Sequence, residues 1–184
     1  MSQRLNALPD IHAACWQQLV ACAQDKTHAW RVMALASNAP GGLADVRSIV
    51  VREVNPATRT LLFFTDARSP KVAQLVAQPA ASLLAWSAAL GWQLRLQVLA
   101  EVQTSGLAVS SRWARLKMSP AAHDYLSPLP PGTPVAHPLP ERGSRAHFAV
   151  VQLTVQGIDW LELHEDGHRR AVFPVDGPAL WVQA

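Results

Sequence analysis

Cysteine is scarce in this chain: Cys15 and Cys22 are the only two in 184 residues. They are seven residues apart on an expected helix, which separates them by roughly 10 Å at the helical rise. That is beyond disulfide reach, and the spacing is not the C-x-x-C of a metal site. Reduced thiols, as in a cytosolic protein, follow. Long apolar runs are also missing, because Arg, Gln or Pro interrupts each one, so no membrane helix is expected. The first ten residues hold no basic segment followed by an apolar core, so no signal peptide is expected and the chain reads as cytoplasmic. Runs of five or six Lys or Arg are absent and the formal net charge is only +3, which argues against a nucleic-acid stripe. The seven histidines form neither H-x-x-x-H nor H-E-x-x-H, so no metal is expected. There is no G-x-G-x-x-G and no G-x-x-x-x-G-K-[ST] motif. Ser110 and Ser111 lack a G-x-S-x-G frame, and no catalytic residue is identified.

What is present is a 49% apolar chain, enough for one domain spanning 1–184. Residues 1–26 read as an N-terminal helical segment, with Asp10 as N-cap and Ile11, Cys15, Leu19 and Cys22 at helical spacing. From His28 to Ala36 the pattern is extended, with Trp30, Val32 and Ala34 on one face. Asp45–Val54 and Thr60–Thr65 read as a hairpin around Asn55-Pro56. Ser69-Pro70 is a strong helix start, closed before Pro79. Ser82–Trp86 is a short strand. Trp92 to Val102 alternates over the longest half-buried strand, with Trp92, Leu94, Leu96, Val98, Ala100 and Val102 on one side. Leu107–Met118 reads as a helix and 119–145 as a loop with seven prolines. Short strands are expected at His147–Val155, Trp160–Leu163, Arg169–Val175 and Leu180–Gln183. Many strands and few helices in a chain this short indicate a closed antiparallel barrel rather than a Rossmann sheet.

Four features carry candidate chemistry. At Ser69-Pro70-Lys71, a helix N-terminus offers free N–H groups, a hydroxyl and a lysine that the helix dipole alone would disfavour, with Arg68 just before it. A bound anion would resolve that conflict, although an ordinary capped helix fits as well. Arg47 and Arg52 close a β-branched strand and point to opposite faces. One of them could reach a phosphate while exposed main chain along the strand contacts a flat ring, or both arginines are simply solvated. Gln93 and Arg95 lie on the polar face of the long strand, facing either a ring edge or solvent. Trp160, His168, Arg169 and Arg170 form a C-terminal cluster able to stack on a ring and hold an anion, or simply to line a core and a surface.

Taken in order, these segments resemble the pyridoxamine 5'-phosphate oxidase-like family. The carrying stretches are Arg47-Ser-Ile-Val-Val-Arg52, Leu62-Phe-Phe-Thr-Asp66, Arg68-Ser-Pro-Lys71, Ser82-Leu-Leu-Ala-Trp86 and Trp92-Gln-Leu-Arg-Leu-Gln97. The late stretches are His147-Phe-Ala-Val-Val151, Ile158-Asp-Trp-Leu161 and Gly167-His-Arg-Arg170. The resemblance implies a mainly β fold, a six-stranded antiparallel split β-barrel (the FMN-binding split barrel) with flanking helices. It also implies a homodimer with FMN at the subunit interface. It implies that Arg47, Ser69 and Lys71 meet the FMN phosphate. The main chain at Ser48, Ile49, Val50 and Val51, with Phe64 and Thr65, would line the flavin and ribityl chain. Gln93 would bond the flavin, and Trp160 would approach from the partner subunit.

The chain departs from the oxidase pattern at three places. Ser69-Pro70-Lys71 stands where the oxidase has Ser-Arg-Lys, and Arg68 is expected to supply the missing charge. Arg52 stands in place of a substrate-contacting Lys. Arg169-Arg170-Ala171 stands in place of Arg-x-His, with Arg170 as the expected cofactor contact at this end. Arg52 and Arg169 are the expected substrate contacts, and Ala171 leaves a gap where an imidazole would meet substrate. The leading expectation is an FMN-dependent oxidoreductase acting on an unassigned small molecule. The alternatives are pyridoxamine 5'-phosphate oxidase itself, a non-catalytic flavin or haem carrier, and a single-strand nucleic-acid barrel. The last fits poorly, since the tryptophans sit mostly at core-phase positions.

Overall fold

The computed structural model describes residues 4–137, 142–143 and 146–184. The chain runs α1 (Leu8–Gln24), β1 (Val32–Asn38), β2 (Ala44–Asn55), β3 (Thr60–Asp66), α2 (Pro70–Ala77), β4 (Ala80–Ser87), β5 (Trp92–Gln103), α3 (Leu107–Leu116), β6 (Phe148–Glu162), β7 (Arg169–Pro174) and β8 (Leu180–Val182). Short 3-10 turns lie at Pro40–Gly42 and Pro120–Tyr125. The sheet order is β3-β2-β1-β4-β5-β6-β7-β8, and β3 also pairs with β6. That last pairing closes six antiparallel strands into a barrel, and β7 and β8 extend one wall beyond it. The fold expected from the sequence is the fold observed.

Alternation builds the interior. Trp92, Leu94, Leu96 and Val98 of β5 point inward. They meet Met33 and Leu35, Ile49 and Val51, Leu61 and Phe63, Leu83 and Ala85, and Val151, Leu153 and Val155 from the other strands. α1 buries Ile11, Cys15, Trp16, Leu19 and Cys22 in the same core. Its C-terminal carbonyls at Cys22 and Ala23 accept hydrogen bonds from Arg31 Nη1 at 3.1 and 2.5 Å. This guanidinium cap suits the negative end of the helix dipole. Both cysteines are free and buried, and burial pushes their thiols up to about 12.

Three local expectations are corrected. β1 buries Met33, Leu35 and Ser37, while Val32 is 52% exposed. The Trp30–Val32–Ala34 face was therefore the wrong phase. Trp30 is buried, but it precedes the strand in a turn and does not set its alternation. Asp10 does not cap α1. The helix starts at Leu8 with Ala7 at the N-cap and Pro9 in the first turn, where Asp10 still complements the dipole. The segments read as strands 147–155 and 160–163 form one strand of 15 residues. Pairing with β5 shifts register between Gln97 and Val98, so that Gly157 and Val155 face adjacent β5 residues. A bulge absorbs the extra residue, and Gly157, which resembles a turn signal, marks the bulge instead.

A second apolar cluster lies outside the barrel. Leu62, Val109, Tyr125, Phe148 and Val150 pack together with Phe64, Trp113 and Leu116. This cluster fastens α3 and the 120–125 turn onto β3 and β6. Arg112 ties α3 to Glu53 of β2 with two hydrogen bonds of 2.9 and 2.6 Å. The expected Pro-rich loop 119–145 is thus partly ordered by aromatic packing. Its residues 138–141 and 144–145, like residues 1–3 of the N-terminal segment, lie outside the described residues.

Candidate functional site

β2 and β3 are paired from Asn55–Thr60 up to Val51–Phe63, across a bulge between Val51 and Glu53. Beyond that point they separate: β2 continues along β1 and β3 along β6. The barrel is split here, and each strand has an edge with no strand beside it. The opening is a cleft of about 270 Å³ lined by Ser48, Ile49, Val50, Arg52, Phe63, Phe64, Thr65, Asp66, Ser69, Lys71, Asp124, Tyr125 and Pro131. Unpaired backbone groups at a strand edge are strong donors and acceptors that need partners.

One end of the cleft is the start of α2. Ser69 occupies the N-cap position, yet its hydroxyl makes no capping bond. It lies 3.2 Å from Thr65 Oγ1, and Lys71 Nζ donates to the same Thr65 oxygen at 3.2 Å. Two hydroxyls, an ammonium and an uncapped helix N-terminus therefore converge, a suitable seat for an anion. Lys71 forms no ion pair among the described residues. Burial, followed by the nearby Arg47 charge, lowers its pKa.

The cleft is also lined by Arg52, Asp124 and Tyr125. Arg52 Nε is buried without a hydrogen-bond partner. Burial raises the Tyr125 pKa, opposed by the charge of Arg52 and a hydrogen bond from it. Asp124 and Tyr125 were not found from sequence, because 119–145 read as irregular. The available signal was Ser119-Pro120, the same N-cap and proline pair that marks α2.

The structure thus gathers Ser48, Ile49, Val50, Arg52, Phe64, Thr65, Ser69 and Lys71 around one cleft. Val51 is not among the residues that line it. Its side chain is 1% exposed in the core, and its N–H donates to Arg31 O at 3.0 Å. Arg47 stands behind Lys71, bonded to Ser37, Gln74 and Leu35 O and paired with Asp45.

Arg68 turns away from the seat. It binds Asp66 through Nε at 3.1 Å and Nη2 at 2.7 Å, and it donates to the carbonyls of Ser127, Pro128 and Leu129. The expectation that Arg68 replaces the missing phosphate charge is corrected: a buried carboxylate and a loop hold it.

Gln93, Trp160, Arg169 and Arg170 lie elsewhere in the subunit. Gln93 and Arg170 flank Leu161 on the outer sheet face. Arg170 donates to Asp159 at 3.0 and 2.7 Å, and Arg95 joins the same carboxylate. Burial would raise the Asp159 pKa, but these two arginines hold it low. Trp160 is 0% exposed and packs edge-on against Trp92 and Trp181. It offers no surface to a ligand, because its inward phase on β6 places it in the core. Ala171, paired with both Trp160 and Trp181, is also fully buried. Its methyl fills a core position rather than leaving a gap beside substrate. Arg169 donates to Glu162 at 2.8 Å and to Asn6 at 2.9 Å. No group of three or more metal-ligating side chains occurs among the described residues, and no helix among them is long and apolar enough to cross a membrane.

The outer face is also notably apolar. Val32, Val46, Leu84, Trp86 and Leu180 are between 42% and 62% exposed. A groove of about 420 Å³ runs there past Ala34, Val46, Leu84, Ile158 and Val172, and includes Arg95 and Asp159. Val46 in this groove is two residues from Ser48 in the cleft, so the two features adjoin across β2.

The family model for the pyridoxamine 5'-phosphate oxidase FMN-binding domain matches residues 13–104. Among solved structures, a pyridoxamine 5'-phosphate oxidase-related FMN-binding protein from Nostoc punctiforme superposes with a TM-score of 0.76 at 22% identity, covering 98% of each chain. PhzG from Burkholderia lata, solved with tetrahydrophenazine-1-carboxylic acid, gives 0.73 at 18% identity over 96% of this chain and 92% of that one. A haem-binding protein from Mycobacterium smegmatis gives 0.56 at 18% identity over 94% of this chain and 59% of its own. At these identities the structures report a shared fold. No curated protein matches the sequence.

Proposed function

Because this chain belongs to the pyridoxamine 5'-phosphate oxidase FMN-binding domain family, we propose that it is a cytoplasmic homodimeric flavoprotein. It binds FMN in the split between β2 and β3 and oxidises or reduces a small molecule there. The observation that carries this reading is the convergence of Thr65, Ser69 and Lys71 at the uncapped start of α2. The adjoining strand edge is free along Ser48 to Val50. The residues fit the cofactor. A phosphate meets two hydroxyls and an ammonium that has no internal counter-ion. The flat ring and the ribityl hydroxyls meet the unpaired strand edge and the Phe64 side chain. FMN, when bound, supplies the electron or hydride transfer.

The chain's own groups bind, orient and exclude water. Lys71 and Ser69 would hold the phosphate end and so orient the group in the cleft. Arg52 and Tyr125 also line the cleft. They offer a cation and a phenol to an anionic or polar substrate group, with Asp124 beside them. The cleft's 270 Å³ falls just below the range of about 300–1,000 Å³ usual for small-molecule sites. A second copy docked on the apolar outer face would add the missing wall. Gln93 and Arg170 project from that face and are the groups proposed to reach the partner's cofactor. Arg169 is proposed as a substrate contact only after exchange of its Glu162 and Asn6 bonds.

The test is reconstitution. Purified protein is incubated with FMN, FAD and haem, desalted, and read by absorbance and light scattering. Flavin peaks retained with FMN in a dimer support the proposal. A Soret band alone, tighter retention of FAD, or a monomer that holds FMN tightly would overturn it.

A further inference from the structure

Behind the phosphate seat lies a buried polar side chain that does not line the cleft. Gln74 is three residues beyond Lys71 on α2, so the two share a helix face. It is 8% exposed. Its Oε1 accepts hydrogen bonds from Arg47 Nη2 at 2.7 Å and from Ser37 Oγ at 2.7 Å. Its Nε2 donates to Asp45 Oδ2 at 2.8 Å. Arg47 Nη1 donates to Ser37 Oγ at 2.5 Å and to Leu35 O at 3.3 Å, and Nη2 also pairs with Asp45.

A guanidinium has five N–H donors, of which four are terminal. Each terminal nitrogen here has two protein acceptors. Arg47 therefore holds a fixed charge behind Lys71 rather than offering a free fork, and it is not itself among the residues that line the cleft. Asp45 alone would not hold it there. The Asp45 side chain is 44% exposed, so an arginine tethered only to Asp45 would follow it toward solvent. The buried amide and the Ser37 hydroxyl pin the guanidinium against α2, on the Lys71 face.

We propose that Gln74 is a positioning residue that fixes Arg47 beside Lys71, and that these two fixed cations give the cleft its preference for phosphorylated flavin over riboflavin. This rests on the FMN reading above. Two like charges held close on a partly buried surface repel, and an anion seated at Lys71, with Arg47 fixed behind it, relieves the repulsion. The lowered Lys71 pKa, caused by burial and then by Arg47, is the same conflict seen from the lysine.

The test uses the full chain and the dissociation constants of FMN and riboflavin, read by flavin fluorescence. The proteins are wild type, Gln74→Met, Arg47→Met and the double variant. Methionine keeps the length and helix propensity of glutamine but removes both hydrogen-bonding ends. Gln74→Met is expected to weaken FMN about tenfold, the loss of roughly one charge-assisted hydrogen bond, and to move riboflavin less than about twofold. If Gln74 acts through Arg47, the double variant binds FMN no more weakly than Arg47→Met alone.

A wild type that does not prefer FMN over riboflavin defeats the cofactor reading and this proposal with it. A wild type that prefers FMN while Gln74→Met keeps the same preference overturns this proposal alone, as does full additivity in the double variant. Ser37→Ala removes the second pin. It is expected to lower the preference about threefold through one neutral hydrogen bond, and it carries the same cycle if Gln74→Met does not fold. An unchanged preference in Ser37→Ala would then overturn the proposal.

Discussion

Two clusters of positive charge on this barrel are built in opposite ways. At the β6–β7 end, Arg4 and Arg169 converge on Glu162, a buried carboxylate bonded at 2.7 and 2.8 Å, and Trp92 Nε1 approaches it at 3.4 Å. Arg169 also lies 5.7 and 5.8 Å from the ring centroids of Trp160 and Trp181. Every charge there has an internal answer. At the start of α2, Lys71 has one hydroxyl partner and no carboxylate among the described residues. Both clusters look similar as sequence, an Arg- or Lys-bearing stretch near aromatics. The difference lies in who neutralises the charge. A compensated cluster contributes to the fold, whereas an uncompensated and partly buried one calls for a ligand.

The largest expected effect lies on the compensated side. Trp160→Ala removes a fully enclosed ring and should cost about 3–5 kcal/mol of stability, read as a lower denaturation midpoint. If the variant instead remained fully stable while losing FMN, Trp160 would be a ligand group and the contrast would break down.

On the uncompensated side, Lys71→Ala should weaken FMN by about 1.5–3 kcal/mol, roughly 10- to 150-fold. Riboflavin affinity and the melting temperature should stay nearly unchanged. Equal weakening of both flavins would remove Lys71 from the phosphate seat.

The Glu162 network predicts a pH dependence. Burial would raise the Glu162 pKa, but hydrogen bonds from Arg4 and Arg169 outweigh it and hold the pKa below the ordinary 4.5. A carboxylate whose folded pKa is depressed stabilises fully above its unfolded pKa, and loses that contribution as pH falls through the folded value. Acid titration of wild type and Glu162→Gln should therefore show the difference between them shrinking below about pH 4.5. A difference that grew with acidification would contradict the assignment.

The smallest effect is expected at Arg68. Asp66 and three loop carbonyls already take its donors, so Arg68→Ala should change FMN affinity less than about fivefold, the scale of a surface pair. A loss as large as that of Lys71→Ala would restore Arg68 to the seat.

The barrel was legible because β5 alternates cleanly, and because the β2–β3 hairpin pairs a β-branched strand with an apolar one around the turn residues Asn55-Pro56. Ser69-Pro70-Lys71 was legible for a local reason as well: N-cap, proline and lysine report on each other within three positions. The loss of phase in β1 was not legible, because Val32 and Ala34 are apolar yet face outward onto a surface with its own apolar character. Gly157 misled because a bulge and a turn use the same residue. The arrangement of Arg47 with Gln74 and Ser37 joins three elements up to 37 residues apart in sequence, and no local pattern encodes it. The burial of Trp160 and Ala171 depends on Trp181, which pairs across β7, so an aromatic that looked free for a ligand was already enclosed. Tyr125 belongs to a turn held by Trp113 and Phe148, contacts that a proline-rich reading conceals.

The central claim is that the charge left unanswered at α2 marks where the cofactor phosphate binds. A crystal structure of the protein soaked or grown with FMN tests it most directly. The account predicts the phosphate within hydrogen-bonding distance of Ser69 Oγ, Thr65 Oγ1 and Lys71 Nζ, with the ring along Ser48 to Val50 and the Glu162–Arg169 cluster unchanged. A phosphate bound instead at Arg169 or at the Arg95–Asp159–Arg170 surface, with the α2 seat empty, would contradict it.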